Sequence, residues 1–269
     1  MKISIVYPES LKMYYSQLAL AFKNCLEQLQ HDVIITHNTA ESTELEFNLC
    51  PLHYGSFTKI NKKYVMIQME QFPTKFCSNG WQEQKWNQTK SFIHLYNAVW
   101  DTFYEFHKDL YTTIPVYNFQ LGYHPSFDYY ENVIKDKKAS FFGSMSERRK
   151  VILSKIHDVT TIESITDFNR SDLVNHTKVN LNIHYSESNL CESLRIVVFL
   201  LSNKAFILTE DFIGDDELKK CVITTDNFSE IDYYVNHDEE RNRFAENAYQ
   251  YIKTHRTLLQ SIRSCIDHI

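Results

Sequence analysis

Residues 3–36 read ISIVYPESLKMYYSQLALAFKNCLEQLQHDVIIT, and the order of patterns within them sets the fold class. Ile3–Tyr7 is a short apolar run closed by Pro8, which reads as a buried strand. From Ser10 to Gln30 the residues Leu11, Tyr14, Tyr15, Leu18, Phe22 and Leu26 recur mostly at helical spacing, with Ser10 as the expected cap. Asp32–Thr36 is a second short run, rich in β-branched residues. Strand, helix and strand within about 35 residues form a βαβ unit, so a parallel sheet is expected.

The alternation continues outward from this unit. Short apolar runs follow at Phe47–Leu49, Tyr64–Gln68, Phe92–Leu95 and Val116–Phe119. Helical stretches at 80–90 and 101–110 fall between the later ones, with Asp101 read as a helix cap. The polar stretch Asp128–Lys138 (DYYENVIKDKK) then separates two halves and reads as a short interdomain connection. Beyond it, Ala139–Phe142 is expected as a strand and Ser146–Ile156 as a helix capped by Ser146. Val179–Ile183, Phe206–Thr209 and Val222–Thr225 are expected strands, Glu192–Ser202 a helix, and 238–269 mostly helical. The fold class is therefore α/β: two Rossmann-like domains with parallel sheets, residues 1–130 and 138–245, followed by helices over 246–269. Ligands of parallel sheets bind outside the carboxyl ends of the strands, so two such halves are expected to face each other across a cleft.

Composition narrows the function classes. Only 5 Gly and 5 Pro in 269 residues exclude collagen-like and low-complexity chains, and 17 Tyr with 18 Phe supply apolar surface for two cores. A net charge of −6 provides no global basic field for nucleic acid. No apolar run approaches the ~18 residues of a membrane span, and the N-terminus lacks the apolar core and cleavage site of a signal peptide. The six cysteines are scattered without C-x-x-C, as expected for reduced thiols in the cytoplasm. Peripheral attachment at a membrane surface is left open.

Four clusters sit where strands end. Phe142-Gly143-Ser144-Met145-Ser146-Glu147-Arg148-Arg149-Lys150 runs from a strand through a glycine turn into a helix whose first turn carries three cations. Free N–H groups at a helix start favour an anion, and the basic residues there oppose the helix dipole unless an anion is bound. Asn182-Ile183-His184-Tyr185 leaves a strand, and Glu192 and Arg195 follow at i, i+3 on a helix face. Such a pair is either a local ion pair or a carboxylate for sugar hydroxyls beside an arginine for phosphate. In the first half, Gln68-Met69-Glu70-Gln71 and Gln120-Leu121-Gly122-Tyr123-His124-Pro125 close two strands. They read equally as turn chemistry or as a hydroxyl-binding edge with Glu70 as a weak candidate base. No phosphate-binding glycine loop, G-x-S-x-G, strict D-x-D or H-E-x-x-H is present, which counts against kinases, dehydrogenases, lipases and zinc hydrolases.

These residues resemble glycosyltransferases of the GT-B architecture, in particular group-1, family-4-like enzymes and a divergent bacterial and viral branch of them. Phe142-Gly143 with Glu147-Arg148 is similar to the family's strand-end glycine and its acidic-basic pair. Ser144 stands where the family usually carries Arg, a place that Arg149 or Arg195 could fill. Asn180–Tyr185, Leu190–Arg195 and Phe206–Glu210 resemble the donor-binding region. Glu192 takes one of the family's two glutamate places, and the later place falls near Phe199. The resemblance covers about residues 60 to 260. It implies a metal-independent sugar transfer from a nucleotide-diphospho-sugar, which is a co-substrate, with no cofactor and no bound metal. Donor binding is then expected from Gly143, Ser144, Arg148, Arg149, His184, Tyr185, Glu192 and Arg195, with Glu192 also a catalytic candidate. Gln68, Gln71, Tyr123 and His124 would lie on the acceptor side with Glu70, in the first domain, and the last helices would pack back toward that domain. The acceptor is expected to be a glycan, a lipid-linked or another hydroxyl; a DNA acceptor is disfavoured by the charge. The alternative is a non-catalytic nucleotide- or glycan-binding module, or a subunit of a larger transferase.

Overall fold

A computed structural model of the chain describes residues 1–49, 61–72, 80–129, 133–163 and 167–269. They divide into two units, Met1–Leu121 with Leu258–Ile269, and Gly122–Thr257.

The first unit holds six parallel strands: β1 (Lys2–Val6), β2 (Asp32–Thr36), β3 (Leu45–Leu49), β4 (Lys63–Gln68), β5 (Ala98–Asp101) and β6 (Val116–Asn118). Their order is β2-β1-β3-β4-β5-β6. The expected βαβ unit is present, with β1 pairing β2 in parallel and helix α1 (Lys12–Gln28) between them. Ser10 does not cap α1: a single 3-10 turn, Glu9–Leu11, follows Pro8, and Leu11 precedes α1 with no side-chain cap bond. Helix α2 (Gly80–Phe92) matches its expected span and is extended by a 3-10 turn over Ile93–Leu95. The Phe92–Leu95 run is therefore the end of a helix, and the strand lies at β5. Asp101, expected as a cap, is the last residue of β5 and fully buried. The helical segment after it is short, α3 (Tyr104–His107) and a 3-10 turn. Strand β3 is buried along its whole length, and its Glu46 carboxylate is neutralised at 2.6 Å by the equally buried Lys62 ammonium. A buried charge without such a partner would cost several kcal/mol. Helix α9 (Leu258–Ile266) packs on α1 within this unit.

The second unit holds five parallel strands: β7 (Lys137–Phe142), β8 (Val159–Ile162), β9 (Thr177–Asn182), β10 (Ile207–Thr209) and β11 (Ile223–Thr224), in the order β11-β10-β9-β7-β8. Helices α4 (Glu147–Leu153), α5 (Asp167–His176), α6 (Asp216–Lys219), α7 (Ile231–Asn236) and α8 (Asp238–His255) complete it. Strand β8 and helix α5 have no counterpart in the sequence reading, because VTTI is half polar and α5 lacks a clear apolar stripe. Ser146 caps α4 as expected, its Oγ accepting the Arg149 N–H at 3.2 Å. The expected helix over Glu192–Ser202 is a π-helix, Leu194–Leu200, closed by a 3-10 turn and by Lys204 in the left-handed region. Its LRIVVFL sequence is buried from Ile196 through Leu200, so tertiary packing dominates over the weak helix propensity of Ile and Val. The core gathers Phe141, Leu181 and Leu208 from the strands and Phe206 just before β10, with Ile231 and Ala245 from helices.

Among the described residues both cores rest on burial and not on cross-links. Cys25, Cys191, Cys221 and Cys265 are free and buried, and Cys50 and Cys77 lie outside the described residues. Among the described residues no helix is long and apolar enough to cross a membrane.

Candidate functional site

The second unit collects its charges at the carboxyl ends of β7, β9 and β10. Strand β7 ends at Phe142, and Gly143 follows at φ +130°, a conformation that side chains rarely tolerate. The absent side chain also leaves room: a Cβ at Gly143 would lie 2.7 Å from Arg195 Nη2. The Arg195 guanidinium fills this space. Its Nη1 donates to the Phe142 carbonyl, and its Nε donates to Glu192 Oε2 at 2.9 Å. Arg149, one turn into α4, is 2% exposed. It donates to the Ser144 carbonyl (2.9 Å), the Ile183 carbonyl (2.8 Å) and Glu192 Oε1 (2.9 Å). Glu192 thus bridges two arginines that come from the ends of two different segments.

A second ion pair lies beside it. Arg148 forks onto Glu210, just past β10, at 2.8 and 2.6 Å, and also reaches Glu187 at 2.8 Å. Glu210 in turn accepts the His184 N–H at 2.8 Å. Bidentate arginine-carboxylate pairs of this kind are the strong and directional ones. Three guanidinium groups face three carboxylates, so the cluster is neutral as it stands.

Burial and neighbouring charge work against each other here. Burial alone would raise the Glu192 pKa, but Arg195 and Arg149 outweigh it and hold the carboxyl below its ordinary value. For Glu210, burial again pushes up, and the Arg148 hydrogen bond with the His184 N–H carries the value down. Desolvation pulls Arg149 down to about 10, with Glu192 opposing the fall. Glu192 and Glu210 therefore stay ionised at neutral pH despite their burial, because arginines are beside them.

Two buried acceptors at the same strand ends have no hydrogen-bond partner among the described residues: Asn182 Oδ1 and His184 Nδ1. His184 Nε2 lies 3.1 Å from the Asp211 carbonyl and must donate to it, which in the neutral imidazole leaves Nδ1 as an acceptor. Buried polar atoms are seldom left unpaired, so these two acceptors are available to a hydroxyl or N–H partner at the strand ends.

The sequence reading placed Gly143, Ser144, Arg148, Arg149, His184, Glu192 and Arg195 in one site, and the fold brings them together. Ser144 contributes its carbonyl and is itself exposed. Tyr185 is 38% exposed, with the Arg149 guanidinium 5.3 Å from its ring. Glu187 carries no role in the sequence reading, and Glu210 enters it only as the end of the Phe206–Glu210 stretch that resembles a donor-binding region. The signal for Glu210 was its place directly after a buried strand. Phe199, at the second glutamate place, is a buried core residue with the Arg170 guanidinium 3.7 Å over its ring.

The first-half residues separate. Glu70 and Gln71 follow β4 and are half-buried; burial pushes the Glu70 carboxyl up, and Lys85 only partly offsets it. Gln68 is buried and its amide donates to the Glu70 carbonyl at 2.7 Å, so it shapes the turn. Tyr123 and His124, expected in the first domain, belong to the second unit. The Tyr123 hydroxyl joins the Tyr249–Asp128 cluster, and His124 Nδ1 accepts the Ser126 N–H at the start of a 3-10 turn. Asp101 and His107 form a buried pair at 3.0 Å, and the Phe72 N–H donates to His107 Nε2 at 3.2 Å. Among the described residues no three His, Cys, Asp or Glu side chains gather as a metal-holding group.

The chain matches no known family model and no curated protein sequence. Its likeness to solved structures is extensive. An alpha-glucosyltransferase in complex with UDP and a 13-mer DNA containing a HMU base superimposes with a TM-score of 0.65 at 9% identity, over 99% of this chain and 98% of that one. The T4 phage BGT in complex with UDP and Mn2+ gives 0.63 at 13% identity, over 100% and 99%. The chain has the GT-B fold. Sucrose-phosphate synthase from Thermosynechococcus elongatus shares the GT-B architecture at a TM-score of 0.57 and 8% identity, over 100% and 98%. These neighbours are GT-B glycosyltransferases, and the likeness extends over two parallel sheets of six and five strands.

Proposed function

We propose that this protein is a glycosyltransferase that moves a sugar from a nucleotide-diphospho-sugar to an acceptor hydroxyl. The observation that carries the reading is the meeting of Arg148, Arg149 and Arg195 at the carboxyl ends of β7 and β9, through a glycine that only an unsubstituted backbone fits. The GT-B fold adds support, because structures of that fold at full coverage hold UDP. In this reading the diphosphate takes the place of carboxylate oxygens on the arginines. The exposed Glu187 is the carboxylate that yields most readily, while Glu192 and Glu210 keep the guanidinium planes in place. Asn182 Oδ1 and His184 Nδ1 accept donor hydroxyls.

Negative charge grows on the diphosphate as the sugar-oxygen bond breaks. Cations already fixed by carboxylates need no reorganisation at that moment, so they stabilise the transition state more than the ground state. The arginines stand where a divalent ion would otherwise neutralise the leaving group, and we assign the reaction to the metal-independent class. Glu70, whose carboxyl is pushed up by burial, is assigned as the acceptor base, with Gln71 beside it. We place the protein in the cytoplasm, in keeping with its free thiols.

A second reading of the acceptor has its own observation. Neighbours matching over the full chain length were crystallised with a 13-mer DNA, which favours a nucleic-acid hydroxyl, while the net charge of −6 favours a glycan or lipid-linked hydroxyl. Incubation with a panel of nucleotide-sugars, followed by addition of DNA or glycan acceptors, tests both. Arg195→Ala is expected to abolish transfer and leave the protein folded. Near-normal turnover in that variant would remove the diphosphate assignment, and stabilisation by nucleotide-sugars without any product would make the protein a binding module.

A further inference from the structure

The second unit has another cluster of cations that the proposed reaction does not use. Lys135, Lys178, Lys204 and Arg241 line a cavity of about 480 Å³ together with Asp238 and Glu246. Lys178 is the second residue of β9, whereas the arginine cluster lies past the end of that strand, so the two places are at opposite ends of one sheet. Four cations face two carboxylates. Asp238 is shared by Arg241 at 2.7 Å and Lys178 at 3.7 Å, and Glu246 pairs with Lys204 at 3.0 Å. Among the described residues two positive charges are left over.

The surplus falls on groups that are costly to leave unpaired. The Lys135 ammonium donates to the carbonyls of Asn175 and Thr177, each at 3.1 Å, and meets no carboxylate among the described residues. Burial and the neighbouring Arg241 bring its pKa down to about 8. Arg241 is 3% exposed; its Nη1 donates to the Tyr234 carbonyl at 2.7 Å, but its Nε is buried with no partner among the described residues. A buried cation with an unsatisfied donor is one that an anion would complete.

We propose that this cavity is a separate binding site for a phosphate group carried as a monoester or as free phosphate. A monoester carries about −1.5 to −2 charges at neutral pH, which balances the surplus, whereas a diester carries one. The volume lies within the ~300–1,000 Å³ of small-molecule sites and leaves room for an organic part beyond the phosphate.

Calorimetric titration of the full chain with inorganic phosphate, glucose 6-phosphate and dimethyl phosphate tests the assignment. Phosphate and glucose 6-phosphate are expected to bind and dimethyl phosphate to bind at least about tenfold more weakly. Tighter binding of glucose 6-phosphate identifies an ester as the ligand, and equal binding identifies free phosphate. Arg195→Ala should retain a heat of binding, which separates this site from the arginine cluster and from the transferase reading. In that background Lys178→Glu, on a partly exposed side chain that folding tolerates, and Lys135→Met should each abolish it. Absence of binding to the parent protein, absence of binding to Arg195→Ala, or retention of binding in the folded Arg195→Ala, Lys178→Glu double variant would each overturn the proposal.

Discussion

Replacing Gly143 by Ala probes two properties of one position. The first is backbone strain, since φ +130° lies in the region that favours glycine, and a side chain there costs about 1–3 kcal/mol. The second is contact. The new methyl would sit 2.7 Å from Arg195 Nη2 and 3.3 Å from its Cζ, so the guanidinium must move. It is a flexible tip, but its bonds to the Phe142 carbonyl and Glu192 hold it, and a charged hydrogen bond is worth about 1.5–3 kcal/mol. In the parent protein both costs apply, about 4 kcal/mol together. In an Arg195→Ala background only the backbone cost remains, about 2 kcal/mol. At roughly 4 °C per kcal/mol the melting point of the second unit should fall by about 16 °C in the first case and about 8 °C in the second. Differential scanning calorimetry of the four proteins of this double-mutant cycle gives the coupling directly. Equal losses in the two backgrounds would show that Gly143 serves its own backbone alone and that the room it leaves for Arg195 is incidental.

Three further outcomes follow from the charge pairs. Glu192 and Glu210 have folded pKa values held below the ordinary 4.5, so their stabilisation is complete above pH 4.5 and is lost as the pH falls through the lowered values. Glu210→Gln should accordingly lower the melting point at pH 7 and flatten its decline below pH 4.5; an unchanged acid slope would refute the Arg148–Glu210 assignment. Arg149→Lys cannot reach the Ser144 and Ile183 carbonyls and Glu192 at once, and should cost about 3 kcal/mol in urea unfolding and, on the transferase reading, weaken binding of a nucleoside diphosphate. Glu70 shows the opposite sign. Its folded pKa is raised, so the proton-linked stabilisation is present below pH 4.5 and disappears as the pH rises through the raised value. Glu70→Gln should therefore match or exceed the parent in stability at pH 7, and, if Glu70 is the base, lower turnover by about 100-fold or more. Full turnover in that variant would move the base to another residue.

The α/β class, the parallel sheets and most strands were legible from alternating apolar runs, because a strand buried on both faces is mostly apolar and tolerates a charge such as Glu46 only beside a partner such as Lys62. The charge cluster was legible as well: a glycine at a strand end, a Ser cap and basic residues behind it are local chemistry. Other features depended on what the chain packs against. Asp101 has the composition of a cap, yet becomes a buried acceptor for the Phe103 N–H, His107 and the Tyr111 hydroxyl, because those groups converge on it in space. Glu192–Ser202 reads as an ordinary helix, and the backbone over Leu194–Leu200, buried from Ile196 on, is wound as a π-helix instead. The sequence could pair Glu192 with Arg195 from their spacing. Only the tertiary structure could bring Arg149 onto Glu192 and Arg148 onto Glu210, 43 and 62 residues apart, because ion-pair choice is a matter of which strand ends lie side by side.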